Sequence, residues 1–195
     1  MPQECTDVQV RAGTEADLTA LTEIYNHYVR ETPITFDTAP FTPEQRRSWL
    51  HSHPEDGPYR LLVAQDVRNA ESSPMDRFRA GGRSRTGRIL GYATSSPFRP
   101  KPAYSTSVEV SVYCAAEATG RGIGTLLYTA LFDALKNEDL HRAYAGIALP
   151  NESSVKLHTR FGFRNVGTYE QVGRKFGRYW DVAWYEKRLG DPALP

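Results

Sequence analysis

The sequence predicts an α/β domain in which helices cover a mixed sheet. Three observations predict it. Segments of period two alternate with segments of helical period in the order β-α-α-β-β-β-α-β-α-β-β. A valine strand runs through a glycine cluster straight into the chain's cleanest amphipathic helix. The 195 residues are 39% hydrophobic and 11% aromatic, enough to bury one core and too apolar for a disordered chain.

Each element follows from local chemistry. Asp7–Arg11 alternates and reads as a first strand. Thr14 is an N-cap, with Asp17 three residues on in a loose capping box. Leu18, Leu21, Ile24, Tyr25, Tyr28 and Val29 then recur at helical spacing, so a helix runs to about Arg30. Thr32–Phe36 holds a proline and β-branched residues and cannot be helix interior. Thr42-Pro43 restarts a helix that carries Trp49 and Leu50 and ends before Pro54. Tyr59–Gln65 is a strand, and Ile89–Ser95 resumes strand character. Between them, residues 66–88 are polar and arginine-rich with little periodicity, and read as a mobile insertion loop.

Val108, Val110 and Val112 alternate with Glu109, Ser111 and Tyr113, which puts the two sets on opposite faces of a strand. A helix follows from Ile123 to Leu135. Tyr144–Leu149 is a strand, Asn151 caps the next helix and Gly162 closes it. Two final strands flank a Gly173–Gly177 turn and end near Arg188. Residues 7–189 thus form a single domain, with 190–195 as a C-terminal tail.

Composition excludes several classes of partner. Lys+Arg number 24 against Asp+Glu 23, a net charge of +1 that argues against nucleic acid. No apolar run approaches the ~20 residues of a membrane span. Met1–Cys5 shows neither a basic nor an apolar leader pattern. Cys5 and Cys114 are too far apart in sequence to suggest a disulfide framework or a zinc site, so a reducing cytoplasm and no metal are expected.

The glycine cluster Gly120-Arg121-Gly122-Ile123-Gly124-Thr125 is the first sign of chemistry. A strand that leads through small residues into a helix converges free backbone N–H groups on one point, and the helix dipole adds positive potential there. Glycines allow close approach, Arg121 adds charge, and the natural ligand is a pyrophosphate. No Gly-Lys-[Ser/Thr] follows, so this is not a Walker loop. The cluster also comes late, after a meander, unlike a Rossmann fingerprint.

Ser111-Val112-Tyr113, Thr119–Gly124, Pro150-Asn151 and Phe161-Gly162-Phe163 resemble the GNAT acyl-CoA transferases. Ile24–Val29, Thr35-Phe36, Leu149-Pro150-Asn151 through Leu157-His158, and Val172–Val182 look closer to the phosphinothricin and methionine sulfoximine acetyltransferases of that superfamily. The resemblance spans about residues 8–188, without a counterpart for 66–88. It implies a mostly antiparallel sheet with splayed middle strands and acetyl-CoA bound between them. Val112 and Tyr113 would face the pantetheine arm, Thr119 through Thr125 would hold the pyrophosphate, and Asn151 would bond the pantetheine. Thr119 stands where the family usually has Arg or Gln, so one charge is missing.

The resemblance also implies N-acetylation of a small amino-acid acceptor by direct transfer. Glu109, opposite the valine face, would be the general base, because amine acylation needs the ammonium to lose a proton. His158 would protonate the departing thiolate or simply pack its helix, with Tyr113 and Tyr128 as other proton sources. Arg99 and Lys101, before Tyr104, would hold the acceptor's anionic groups, and Phe36 with the Thr35 backbone would form a pocket wall. Ser105 replaces the arginine that one branch has after that tyrosine. A homodimer through the aromatic C-terminal strands is expected. The alternatives are a different amine or protein N-terminus as acceptor, an acylated Cys114, and a non-catalytic acyl-CoA sensor.

Overall fold

The computed structural model describes residues 7–67 and 87–190. The expected mobility of the insertion falls almost wholly on residues outside that description, as does most of the expected tail. The element order is the expected one. Strand β1 is Val8–Ala12, helix α1 Leu18–Glu31, α2 Pro43–His51, β2 Leu61–Asp66, β3 Arg88–Pro97 and β4 Ser107–Cys114. Then come α3 Ile123–Ala134, β5 Arg142–Ala148, α4 Glu152–Arg160, β6 Arg164–Lys175 and β7 Arg178–Arg188.

The caps behave as their chemistry dictates. The Thr14 amide donates to Asp17 Oδ2 at 2.8 Å, opening a short 3₁₀ turn from which α1 continues. Asp17 is buried and answered by Arg11 at 2.7 Å, which holds its carboxyl below the usual range against the upward push of burial. Thr42 and Gln45 form a reciprocal capping box at the start of α2, with Pro43 at the first helical position.

The seven strands lie in the order β1-β2-β3-β4-β5-β7-β6. All neighbours are antiparallel except β4 and β5. Helix α3 packs on β2, β3 and β4 from one face. Helices α1 and α2 cover the other, where Trp49 meets Tyr92 and Tyr28 meets Tyr113 edge-on. The valine alternation decides which residues face which helix. Val108 and Val110 are fully buried toward α3, while Tyr113 points into the aromatic cluster under α1.

Two boundaries differ from expectation. The β2–β3 ladder continues to the pair Asp66↔Arg88, so both ends of the proposed insertion are strand. Their polar side chains hid this, because a ladder needs only backbone groups. Gly173 is also not a turn residue. It pairs with Trp180 within the β6–β7 hairpin, whose turn is Phe176-Gly177. Glycine at 173 leaves room for the Phe36 ring, which a Cβ there would meet at 2.1 Å and have to displace.

Candidate active site

The site begins where β4 and β5 part. The two strands pair over Ser107–Glu109 and Arg142–Tyr144 only, and Glu109↔Tyr144 is the last rung. Beyond it the strands diverge into a wedge lined by Val110–Tyr113 on one side and Ala145–Ala148 on the other. The β4 backbone groups that face β5 there lack a ladder partner and can receive an extended, amide-bearing ligand.

On the α3 side the wedge adjoins a cavity of about 360 Å³. Val112, Thr119, Gly120, Gly122, Gly124, Thr125 and Asn151 line it. Gly120 and Gly122 take φ of 74° and 80°, the left-handed region where a Cβ is strained. Gly122 is the N-cap of α3, so the helix N-terminus, with Gly124 and Thr125 of its first turn, borders this cavity. Asn151 caps α4, its Oδ1 accepting from the Ser154 amide at 3.2 Å. Its Nδ2 has no protein partner among the described residues, which leaves two N–H donors for a ligand.

Three sequence expectations change here. Arg121 stands exposed and does not line the cavity; the lining cations are Lys156 and Arg160 of α4. The i, i+4 spacing of that pair on one helix face was the signal available in the sequence. The Thr119 hydroxyl donates to the Ala116 carbonyl at 2.8 Å, so its proton is already committed and it can only accept from a ligand. Ile123 is core, with 1% exposure, and does not line the cavity.

Glu109 sits half-buried at the mouth of the wedge and accepts no protein hydrogen bond among the described residues. Burial pushes its carboxyl pKa up, opposed in part by the nearby Arg99 charge. The Arg99 guanidinium stacks 4.2 Å from the centre of the Phe98 ring. Phe98 itself stacks on Tyr144, the last-rung partner of Glu109, at 4.1 Å. Arg99 and Glu109 are thus brought together, whereas Lys101 and Tyr104 lie on an exposed turn beside them. Phe36 packs on Gly173, and the Thr35 carbonyl accepts from Lys175 Nζ at 2.7 Å. That carbonyl is therefore occupied, and the loop is tied to the β6–β7 hairpin.

His158 lines the wedge but is 3% exposed. Its Nδ1 donates to the Ser154 carbonyl at 2.8 Å, so Nε2 accepts from the Tyr128 hydroxyl at 2.8 Å. Burial lowers its pKa and keeps it neutral, leaving no ring proton aimed at the wedge. This geometry favours packing over the acid role. Tyr128 is tied to the same pair, and burial pushes its phenol pKa up. Cys114 is pushed up to about 11 by burial, so its thiol stays protonated and is a poor nucleophile.

On the α1–α2 side lies a second cavity, of about 270 Å³, which the sequence did not reveal. It is bounded by Tyr25, Arg46 and Trp49 from the helices and by Tyr92, Ser96 and Ser111 from the sheet. Ser96 is the register partner of Glu109, so the cavity reaches to within one rung of the carboxylate.

A family model described as an acetyltransferase (GNAT) domain matches residues 82–184. The chain is 68% identical to a phosphinothricin N-acetyltransferase of Streptomyces coelicolor, across 94% of this chain and 97% of that one. The chain belongs to the GNAT acetyltransferase superfamily. As a GNAT protein it is also 32% identical to an L-methionine sulfoximine/L-methionine sulfone acetyltransferase of Pseudomonas aeruginosa, over 94% of this chain and 95% of that one. A Sinorhizobium meliloti phosphinothricin acetyltransferase solved in complex with AcCoA superposes with a TM-score of 0.82 at 29% identity, covering 96% of this chain and 91% of that one. The parting β4–β5 pair and the glycine turn before α3 agree with what the sequence resemblance implied.

Proposed function

We propose that this chain transfers the acetyl group of acetyl-CoA to the α-amino group of a small amino acid with an oxygen-bearing side chain, phosphinothricin or methionine sulfoximine being representative acceptors. The carrying observation is Glu109, a carboxylate without protein hydrogen-bond partners among the described residues, at the point where β4 and β5 separate and opposite Ser96 of the second cavity. The polar backbone of the wedge, the first-turn N–H groups of α3 and the free Asn151 amide suit a pantetheine and its pyrophosphate, with Lys156 and Arg160 alongside.

In this reading Glu109 removes one proton from the acceptor's ammonium, directly or through a water. The freed nitrogen lone pair attacks the thioester carbonyl. The carbon–sulfur bond then breaks, and the second amine proton ends on the sulfur. No acyl-enzyme forms, in keeping with the protonated state of Cys114. Arg99, fixed on its aromatic platform beside Glu109, holds the α-carboxylate, and Lys101 adds charge at the rim.

A homodimer through the β6–β7 hairpin belongs to the same proposal. Val166, Tyr169, Val172, Phe176 and Tyr179 are all about half exposed on that hairpin, and β6 is an edge strand. No helix among the described residues is long and apolar enough to cross a membrane, and a cytoplasmic enzyme is proposed. The decisive experiment is thiol release from acetyl-CoA against phosphinothricin, methionine sulfoximine, methionine sulfone and plain amino acids. Turnover with the oxygen-bearing acceptors is expected. Turnover with none of them overturns the reading, and light scattering checks the dimer.

A further inference from the structure

The second cavity holds two buried polar groups short of partners. Arg46 is 6% exposed. Its guanidinium lies between Trp49, 3.8 Å from the ring centre, and Tyr25 at 4.4 Å. It donates one hydrogen bond, from Nη1 to the Leu21 carbonyl at 3.1 Å, and forms no ion pair among the described residues. The Tyr92 hydroxyl, in the same cavity, is fully buried and faces the Arg46 guanidinium, a donor, so that its own proton finds no acceptor among the described residues. A buried cation without an anion and a buried hydroxyl without an acceptor are both costly to maintain. Their convergence on one cavity marks a donor set awaiting an acceptor.

Asp37 also lines this cavity. Its carboxylate accepts from the Tyr25 hydroxyl, and its charge faces the buried ammonium of Lys175. The negative charge is thereby answered from the loop side, and Arg46 remains the cation directed at the space.

We infer that this cavity takes the oxygen-bearing end of the acceptor's side chain, with Arg46 and Tyr92 as its hydrogen-bond donors. The inference rests on the proposal that an amino acid is acetylated beside Glu109. The reach supports it. Ser96 and Thr94 both line the cavity, and two residues along a strand span about 7 Å. Two methylenes carrying a phosphinate or an oxidised sulfur cover that span from an amino group held near Glu109. A bare alanine-sized side chain does not. Arg99 at the rim and Arg46 in the depth would then hold the two polar ends of one molecule.

The test compares acceptors that differ only at the tail. Arg46→Gln is expected to raise the KM for phosphinothricin about 10-fold to 100-fold, the scale of a hydrogen bond to a charged group. The ratio of kcat/KM for phosphinothricin to that for methionine should fall by at least about tenfold, with the acetyl-CoA KM a control for folding. Arg46→Lys should recover part of that ratio. Tyr92→Phe, which keeps the ring, should shift it in the same direction by a smaller factor. Equal losses on both acceptors overturn the inference and make Arg46 a packing residue. A second readout survives misfolding of the Arg46 variant: phosphinothricin should change the wild-type fluorescence saturably, and the change should vanish in Trp49→Phe. No saturable change, or one that persists without Trp49, overturns the inference. If the wild type binds in this way yet acetylates no acceptor, the proposed reaction fails and the cavity assignment stands.

Discussion

The two cavities on either side of the wedge are built in opposite ways. The one beside α3 combines the glycine-rich turn of residues 119–125 with β4 and with side chains of α4, Lys156 and Arg160 among them. The one under α1 and α2 draws single side chains from two helices and two strands that are distant in sequence. A backbone cradle reads phosphate and amide, groups common to any ligand of that class. A side-chain pocket reads one particular shape and charge. The comparison teaches that one cavity is anchored on a local glycine turn, whereas the other is assembled only from side chains dispersed along the chain.

The sharpest test is at Glu109, the proposed base at the last β4–β5 rung. Glu109→Gln keeps the shape but cannot accept a proton, so kcat should fall by about 10²–10⁴-fold while the acetyl-CoA KM barely moves. Burial raises its pKa above the ordinary 4.5, so kcat/KM should decline as pH falls through a midpoint above that value. The variant should lose that acidic limb. A loss below about threefold would leave Glu109 a structural strand residue, since a positioned base contributes far more.

The backbone side is broken through conformation. Gly122→Val places a β-branched residue at φ 80°, at a strain of about 1–2 kcal/mol, and puts a side chain where the ligand must approach. Acetyl-CoA binding should weaken by at least about tenfold, with the acceptor KM much less affected. Unchanged acetyl-CoA affinity in a folded variant would move the pyrophosphate elsewhere. Calorimetry with acetyl-CoA alone decides this.

The rim charges come next in size. Replacing Arg99 and Lys101 together with Gln should raise the acceptor KM about fivefold, a modest factor because exposed charges are screened. The acetyl-CoA KM should hold. If the double variant weakened only acetyl-CoA, these residues would belong to the backbone-reading side. The smallest effect is expected at Cys114. Cys114→Ser should leave kcat within about twofold, because a thiol held protonated near 11 takes no part in direct transfer. Trapping of an acetylated Cys114 by mass spectrometry would break that expectation.

Much of this molecule is legible in its amino-acid sequence. The alternation of Val108 with Glu109 specifies a strand with one buried face, and the run from Ile123 specifies a helix behind a glycine turn. Asn151 reads as a cap because capping is decided within four residues. Thr42 and Pro43 are readable for the same reason. These features depend on neighbours in the chain, and local sequence carries them.

What distant segments do to one another is not legible there. Gly173 has the local character of a turn residue, yet Phe36, from the loop after α1, packs against it inside a strand. His158 suits either an acid or a packing residue, and Tyr128 together with the Ser154 carbonyl determines its tautomer. Arg121 carries the right charge in the right motif but points into solvent, while Lys156 and Arg160 reach the cavity from α4. Arg46 reads as an ordinary surface residue of a polar helix. Only the packing of α2 on α1 and β3 buries it beside Tyr92. The sequence by itself determined the elements, their order and the glycine turn before α3, because hydrogen-bond periodicity and capping act over a few residues. The tertiary structure alone decided which side chains lose water and which charges meet, because desolvation and Coulomb interactions depend on distance in space and not on separation along the chain.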